Sequence, residues 1–329
     1  MLLKKSDLIS ALAALSNGAN VYVPGESGDI SKFMIWDGKT DVQFSGVNTV
    51  LPPKDILFPQ TEKMYAYRTG AETQVKELAD DKKQIIFGIR PCDMESIMRL
   101  DQVFFEKNFR DEFYARKRSN ATFIALACAE PCDTCFCDSM GINPNAAPGA
   151  DVLLTDAGDS YGFTAQTDKG KDIAELWKGF LKKGDQKPGN TACTLKTKMS
   201  DGLPSKLSGM FENPVWEEVT KACIGCGTCT YVCPTCYCFD IKSENQGNEG
   251  VSFRCWDSCM FTDYTLMAGG HNPRPTKKER LRNRYMHKLS YFNDRHGTSL
   301  CVGCGRCVAK CPSHLDITEF IDKAAEVTV

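Results

Sequence analysis

The sequence predicts an α+β chain of two domains: an α/β unit over residues 1–185 and a cysteine-rich unit over residues 216–329, joined by a linker over residues 186–215. Three observations predict this. First, "ETQVKELADDKK" reads as a helix and leads into the strand "QIIFGI" (84–89). "MESIMRLDQVF" then returns to helical spacing before a second buried strand, "ATFIALA" (121–127), and such alternation is the pattern of an α/β sheet. Second, from Lys182 to Pro214 the composition shifts to Gly, Lys, Ser, Thr and Pro. Third, 12 of the 18 cysteines fall in residues 216–329 and none in residues 1–91.

With 329 residues, 42% hydrophobic and 25% charged, the chain is ordinary for a folded protein and long enough for two domains. Forty basic against 42 acidic residues give a net charge of −2, so no global field favours nucleic acid. No run approaches the ~18 apolar residues that span a bilayer, so no membrane segment is expected. The start, "MLLKKSDLISALAALSNGA", has the order of a signal peptide, basic and then apolar, but Asp7 interrupts it. Leu8, Ile9, Leu12 and Leu15 make one helical face behind a Ser6 cap, which predicts an amphipathic helix of the fold. The expected compartment is the reducing cytoplasm, where dense thiols serve as metal ligands rather than disulfides.

The remaining elements follow local chemistry. "NVYVP", "FMIWDGKT" and "DVQFSG" read as short strands with a turn at Asp37-Gly38. "LPPKDILFPQTEKMYAYR" is Pro-punctuated and irregular. "NPVWEEVTKA" opens a helix with Asn213 as cap and Pro214 at its first position. "HLDITEFIDKAAEV" closes the chain as a helix.

"CIGCGTCTYVCP" (223–234) returns as "CVGCGRCVAKCP" (301–312), each with cysteines at Cys-x2-Cys-x2-Cys-x3-Cys spacing and a closing proline. Three cysteines so close on one loop can wrap three corners of a compact iron–sulfur cube, and Gly225, Gly227, Gly303 and Gly305 let the backbone approach. The fourth corner is out of reach of the same tight loop. In two-cluster ferredoxins the fourth cysteine of each run ligates the other cluster. This predicts one [4Fe–4S] cluster on Cys223, Cys226, Cys229 and Cys311, and a second on Cys301, Cys304, Cys307 and Cys233. The domain is thus a two-[4Fe–4S] ferredoxin type with a long insertion. Structural zinc would want two separated cysteine pairs instead.

Cys128, Cys132, Cys135 and Cys137 crowd a second region, and Cys92 ends a similar strand-to-loop stretch. Parallel neighbouring strands would bring Cys92 and Cys128 to one sheet edge. Cys128-x3-Cys132-x2-Cys135 also has radical-SAM spacing, but Thr134 stands where an aromatic usually precedes the last cysteine and the domain is short for that barrel. A third electron-transfer cluster fits better, with five cysteines competing for four places.

"FGIRPCDMESIMRLDQVF", "TCFCDSMG", "CPTCYCFDI", "WDSCMFTDYTLMAGGHNPR" and the second cysteine run together resemble a family of 4Fe–4S dicluster-domain proteins, that of the iron–sulfur subunit of anaerobic sulfite reductase and the β subunit of sulfhydrogenase, a NiFe hydrogenase. The resemblance covers nearly the whole chain. It implies an electron-transfer role, with a flavin-containing, NAD(P)H-linked partner on one side and a catalytic or electron-acceptor partner on the other. It also implies Cys92, Cys128, Cys135 and Cys137 as third-cluster ligands, making three clusters in all. Cys132 departs from the family pattern, in which that position is typically glycine.

Cys236, Cys238, Cys255 and Cys259 make a fourth candidate group, for a metal or for packing as small apolar side chains. Cys193 stands alone in the linker. "RPTKKERLRNRYMHK" (274–288) is a basic run that reads either as a solvated helix face or as charge offsetting the clusters or docking an acidic partner. His271 and His287 read as hydrogen-bonded structure. No P-loop, dinucleotide-binding glycine turn or haem motif is present, so flavin and nicotinamide belong to partner chains. The alternative functions are a catalytic reductase component with a substrate-binding N-terminal cluster and a redox-sensing regulatory component.

Overall fold

The computed structural model of the chain describes residues 1–39, 42, 48–106, 108–184 and 189–328. The first part runs β1 (Leu2–Lys4), α1 (Leu8–Leu15), β2 (Asn20–Ser27), β3 (Ile30–Ile35), a single-turn α2 (Lys54–Leu57), β4 (Thr61–Arg68) and β5 (Gln74–Glu77). It continues with β6 (Gln84–Ile89), α3 (Pro91–Phe104), α4 (Glu112–Asn120), β7 (Ala121–Leu126), β8 (Val152–Asp156), β9 (Ser160–Ala165), α5 (Asp168–Leu176) and β10 (Leu181–Lys182). The rest holds α6 (Leu203–Gly209), α7 (Val215–Thr220), α8 (Thr228–Tyr231), β11 (Phe239–Gln246), β12 (Glu249–Trp256), α9 (Lys277–Met286), α10 (Phe292–His296), α11 (Arg306–Ala309) and α12 (Ile317–Glu326). The fold is mixed α/β, as the sequence predicts.

An eight-stranded sheet orders β10-β1-β9-β8-β7-β6-β2-β3. Its centre, β2-β6-β7-β8, is parallel, while the outer strands pair antiparallel. Every residue of β6 is buried, which explains the unbroken apolar run "QIIFGI": a parallel strand covered on both faces needs no polar side. Leu12, Leu15, Phe163 and Trp177 pack on one face with Val21 and Phe87. Ile97, Leu100, Phe104 and Tyr114 from α3 and α4 cover the other with Ile86 and Phe123. Because β6 and β7 run parallel in register, Ile89 opposite Ala125, their ends deliver Cys92 and Cys128 to one sheet edge.

The second sheet, β11-β12-β4-β5, joins strands far apart in sequence. The β11/β12 hairpin, inserted between the two cysteine runs, pairs through β12 with β4, Val251 opposite Ala66. Arg254, 3% exposed at its side chain, bridges Glu62 on β4 and Asp111 at the cap of α4, and Lys117 closes on Glu62 as well. Breaking a buried pair of this kind costs about 3–5 kcal/mol, because the partner is left charged and dry.

Several local expectations change. "ETQVKELADDKK" does not form a helix: Gln74–Glu77 is strand β5, paired with Tyr65–Arg68. All four residues of β5 are exposed, so no apolar stripe rewarded helix formation and the open edge of β4 took the segment. "TEKMYAYR" is strand rather than irregular. The β2/β3 turn falls at Gly28, in the left-handed region at φ 62°, and the chain turns again at Asp37-Gly38 as expected, with Gly38 at φ 80° and the Lys39 N–H donating to Asp37 Oδ1 at 2.9 Å. "DVQFSG" lies almost wholly outside the described residues. A 3-10 turn over Lys5–Asp7 precedes α1, and Ser6 does not cap it. Asn213 does accept the Val215 N–H at 2.9 Å at the start of α7. The Gly- and Ser-rich segment after residue 189 carries α6, whose Leu203 and Leu207 are buried in the C-terminal core.

Candidate metal centres

Each cysteine run folds the same way. Two cysteines lie on a loop, a glycine in the left-handed region (Gly227, φ 77°; Gly305, φ 73°) starts a single helical turn that carries the third (Cys229; Cys307), and the fourth cysteine follows it. The two turns, α8 and α11, pack against each other. That packing crosses the fourth cysteines. Cys311 lines one cavity with Cys223, Cys226 and Cys229, although it comes from the other run of the chain. Burial pushes the pKa values of Cys301 and Cys304 up, and the buried Cys233 lies close enough to both to push them further.

The cavity around Cys223 also contains Arg284, whose Nε is buried with no hydrogen-bond partner. Its Nη2 donates to Cys229 O at 3.0 Å. Burial opposes the guanidinium charge, yet Cys229 and Cys307 hold it protonated beyond the usual arginine range. Lys288 behaves alike: burial is outweighed by Cys233 and Cys236, while Nζ donates to Thr235 Oγ1 at 2.8 Å. Among the described residues neither cation has a carboxylate partner. Buried cations left without acids, one with an orphaned donor in a residue that lines a cavity of thiols, fit a compact anionic group with acceptor sulfurs. A [4Fe–4S] cluster is such a group.

The basic run 274–288 is therefore not a solvated face. Arg280, Arg282, Arg284 and Lys288 are all buried. Hydrogen bonds from Arg280 to Met260 O (3.0 Å) and from Arg282 to Phe211 O (2.9 Å) tie down loops, while Arg284 and Lys288 serve the cysteines. His287 is structural, as expected, with Nε2 2.9 Å from the Tyr237 hydroxyl. Burial and the adjacent Lys288 charge push its pKa down to about 4.

A third cavity opens at the sheet edge. Cys92 is in the first turn of α3, Cys128 follows β7, and Cys132, Cys135 and Cys137 complete the ring with Arg90, Asn48 and Cys304. All five N-terminal candidates line it. Asn48, which carried no signal in the sequence, is the hinge of this site: its Nδ2 donates to Cys304 O at 3.0 Å and lies 3.8 Å from Cys135 Sγ. Asp93, one residue after Cys92, pairs with Arg306 of the second run (side chains 1% and 3% exposed). Phe136, flanked by Cys135 and Cys137, is buried in the C-terminal core, and its N–H donates to Gly303 O at 2.8 Å. These contacts weld the third cavity to the second cysteine run. Only long-range structure could reveal them.

Cys236, Cys238 and Cys259 collect at the mouth of the β11/β12 hairpin, where Cys238 O accepts the Asp257 N–H at 2.9 Å and the nearby Cys259 thiol helps hold the Cys238 pKa down to about 6. Cys255 belongs to the β12 ladder, opposite Asp240 and Thr61. Cys193 is not alone: its sulfur lies 3.5 Å from that of Cys137.

Two cysteine runs of this spacing, packed so that Cys311 joins the loop of the other run, define an iron–sulfur protein of the two-cluster ferredoxin class. A family described as the 4Fe-4S dicluster domain matches residues 222–315. Over 324 residues the chain is 31% identical to the sulfhydrogenase 2 subunit beta of Pyrococcus furiosus, spanning 95% of this chain and 94% of that one. No solved structure matches. The chain belongs to the family of sulfhydrogenase β subunits and carries 4Fe–4S clusters. No helix among the described residues is long and apolar enough to cross a membrane.

Proposed function

We propose that the chain is the electron-relay component of a multisubunit oxidoreductase of the hydrogenase type, holding three [4Fe–4S] clusters in a line. The outer cluster is held by Cys223, Cys226, Cys229 and Cys311, the middle one by Cys301, Cys304, Cys307 and Cys233, and the N-terminal one by Cys92, Cys128, Cys135 and Cys137. Each cluster supplies a one-electron couple.

One observation carries this reading: the middle run lends a cysteine to the wall of each neighbouring cavity. Cys304 lines the N-terminal cavity and Cys307 lines the outer one. A group held by that run would share a cysteine wall with each neighbour, which supports a relay. Cys226 is exposed and Ile224 beside it is 64% exposed, so the outer cluster offers the face through which electrons cross to another chain. The relative's name makes it one subunit of a sulfhydrogenase. For this chain the partners we infer are a flavin-containing, NAD(P)H-linked protein and a catalytic or acceptor protein, in a cytoplasmic complex.

Anaerobically prepared protein should contain about twelve iron and twelve acid-labile sulfides per chain. About eight iron would remove the N-terminal cluster from the scheme. About sixteen would add one at Cys236, Cys238, Cys255 and Cys259. Cys311→Ala should damage the cluster of Cys223, Cys226 and Cys229, as read by electron paramagnetic resonance; damage to the cluster of Cys301 would refute the exchanged ligation. Cys92→Ala should lose about four iron, and Cys132→Ala none. The reverse result would make Cys132 the ligand.

A further inference from the structure

Cys193 reaches the N-terminal cluster site from a segment with no regular structure. Asn145 pins that segment, accepting the Thr191 N–H at 3.0 Å and donating Nδ2 to Thr191 O at 2.9 Å. The Cys193 N–H then donates to Asp138 Oδ2 at 2.9 Å, just after Cys137 in the chain. The Cys193 side chain is 3% exposed and packs among Cys92, Cys135, Cys137, Ile142, Val302 and Cys304. Its sulfur meets Cys137 Sγ at 3.5 Å, within hydrogen-bond range for sulfur.

Two geometric facts separate it from the ligands. Cys137 lines the cavity and Cys193 does not, so Cys193 stands behind Cys137. A cube iron bonded to three sulfides has room for one thiolate, and thiolates on different irons cannot approach to hydrogen-bond distance. The two sulfurs therefore cannot both be ordinary ligands in this arrangement. Yet the thiol is buried, held by two hydrogen-bonded anchors and within hydrogen-bond distance of the Cys137 sulfur, where either thiol can be the donor.

We propose that Cys193 is a positioning residue whose S–H donates a hydrogen bond to the Cys137 thiolate and thereby raises the potential of the N-terminal cluster. This rests on the reading of Cys137 as a ligand. Reduction adds one negative charge that spreads onto the thiolates, so a donor to Cys137 is bound more strongly in the reduced state. The buried setting strengthens the effect, because no water competes for the thiolate. The electron arrives from the neighbouring cluster, Cys193 keeps its proton throughout, and no covalent bond changes.

The test is a redox titration followed by electron paramagnetic resonance on the anaerobic full-length chain, with iron and sulfide counted in the same samples. Cys193→Ala should keep all its iron. At a fixed ambient potential the ratio of reduced to oxidised N-terminal cluster should fall about tenfold, which for a one-electron couple is about 59 mV. Cys193→Ser retains a donor and should restore most of the potential, and Cys255→Ala should leave it unchanged. Full iron with an unshifted potential in Cys193→Ala overturns the proposal. Loss of about four iron in Cys193→Ala also overturns it, by making Cys193 a ligand. If in addition Cys137→Ala keeps all its iron, the ligand assignment of Cys137 fails too, so the two failures are told apart.

Discussion

Residues 223–234 and 301–312 carry the same spacing of cysteines, the same glycines and the same closing proline, but the fold gives them opposite surroundings. The first run faces outward: Cys226 is exposed, Ile224 is 64% exposed, and an added Cβ at Gly225 would meet nothing nearer than 3.9 Å. The second run is enclosed over residues 301–306. Cys301 and Cys304 are buried, and a Cβ at Gly303 would stand 2.6 Å from Phe136 O. Where the first run has Thr228 after its second glycine, the second has Arg306, sealed against Asp93. The lesson is a division of labour between short- and long-range structure. Spacing sets which atoms can grip a cube; the segments packed outside the loop set solvent exposure and hydrogen bonding, which tune a cluster's potential. An enclosed middle site suits storage and transfer within the chain, and an open outer site suits exchange with another protein.

The comparison breaks most sharply at Arg306. Arg306→Met leaves Asp93 buried and unpaired and should cost about 3–5 kcal/mol. Thr228→Met at the equivalent place on the half-buried outer loop should cost less than about 1 kcal/mol. Denaturant melts of the two iron-loaded variants compare them directly, and equal losses would mean that the inner run is not the welded one.

The glycines give a smaller contrast. Gly225→Ala and Gly303→Ala both force a side chain into the left-handed region (φ 74° and 60°), a strain of about 1–2 kcal/mol. Gly303→Ala also drives a methyl into Phe136 O and the Cys137 backbone, adding about 1–3 kcal/mol of overpacking. It should further disturb the N-terminal cluster's resonance spectrum, whereas Gly225→Ala should leave that spectrum alone. Finding the N-terminal signal untouched in Gly303→Ala would separate the two sites.

The smallest effect at neutral pH belongs to His287, next to Lys288 on the inner side. Its folded pKa of about 4 is below the unfolded value of about 6.5, so the unfolded chain takes up the proton first as pH falls. Its contribution is whole above about pH 6.5, down by less than about 1 kcal/mol at about pH 6, and down by about 3 kcal/mol near pH 4. His287→Gln should flatten that part of the stability–pH curve. An unchanged slope would show that the imidazole already carries its proton in the folded chain.

The chain's own spacing and periodicity determined a good deal. β6, β7, α3 and α12 are legible because parallel core strands and amphipathic helices write their burial into a local pattern, as "QIIFGI" and "ITEFIDKAAE" do. Both cysteine runs and their shared cofactor type are legible because one loop must present ligands at fixed intervals. β5 reads locally as helix because a short exposed strand owes its form to the edge it pairs with, which lies outside its own sequence. The same holds for the site: Asn48, Phe136, Cys193 and the Asp93–Arg306 pair reach it from distant parts of the chain. The buried faces of Arg284 and Lys288 could not be told from solvated charge until α9 was packed against the cysteine loops. The sequence by itself determined where three thiols of each run can be presented together, since that is a matter of covalent reach. Only the tertiary structure decided which cluster is enclosed, which is open and which groups touch the ligand sulfurs, because burial and hydrogen bonding belong to segments that meet only when the chain has folded.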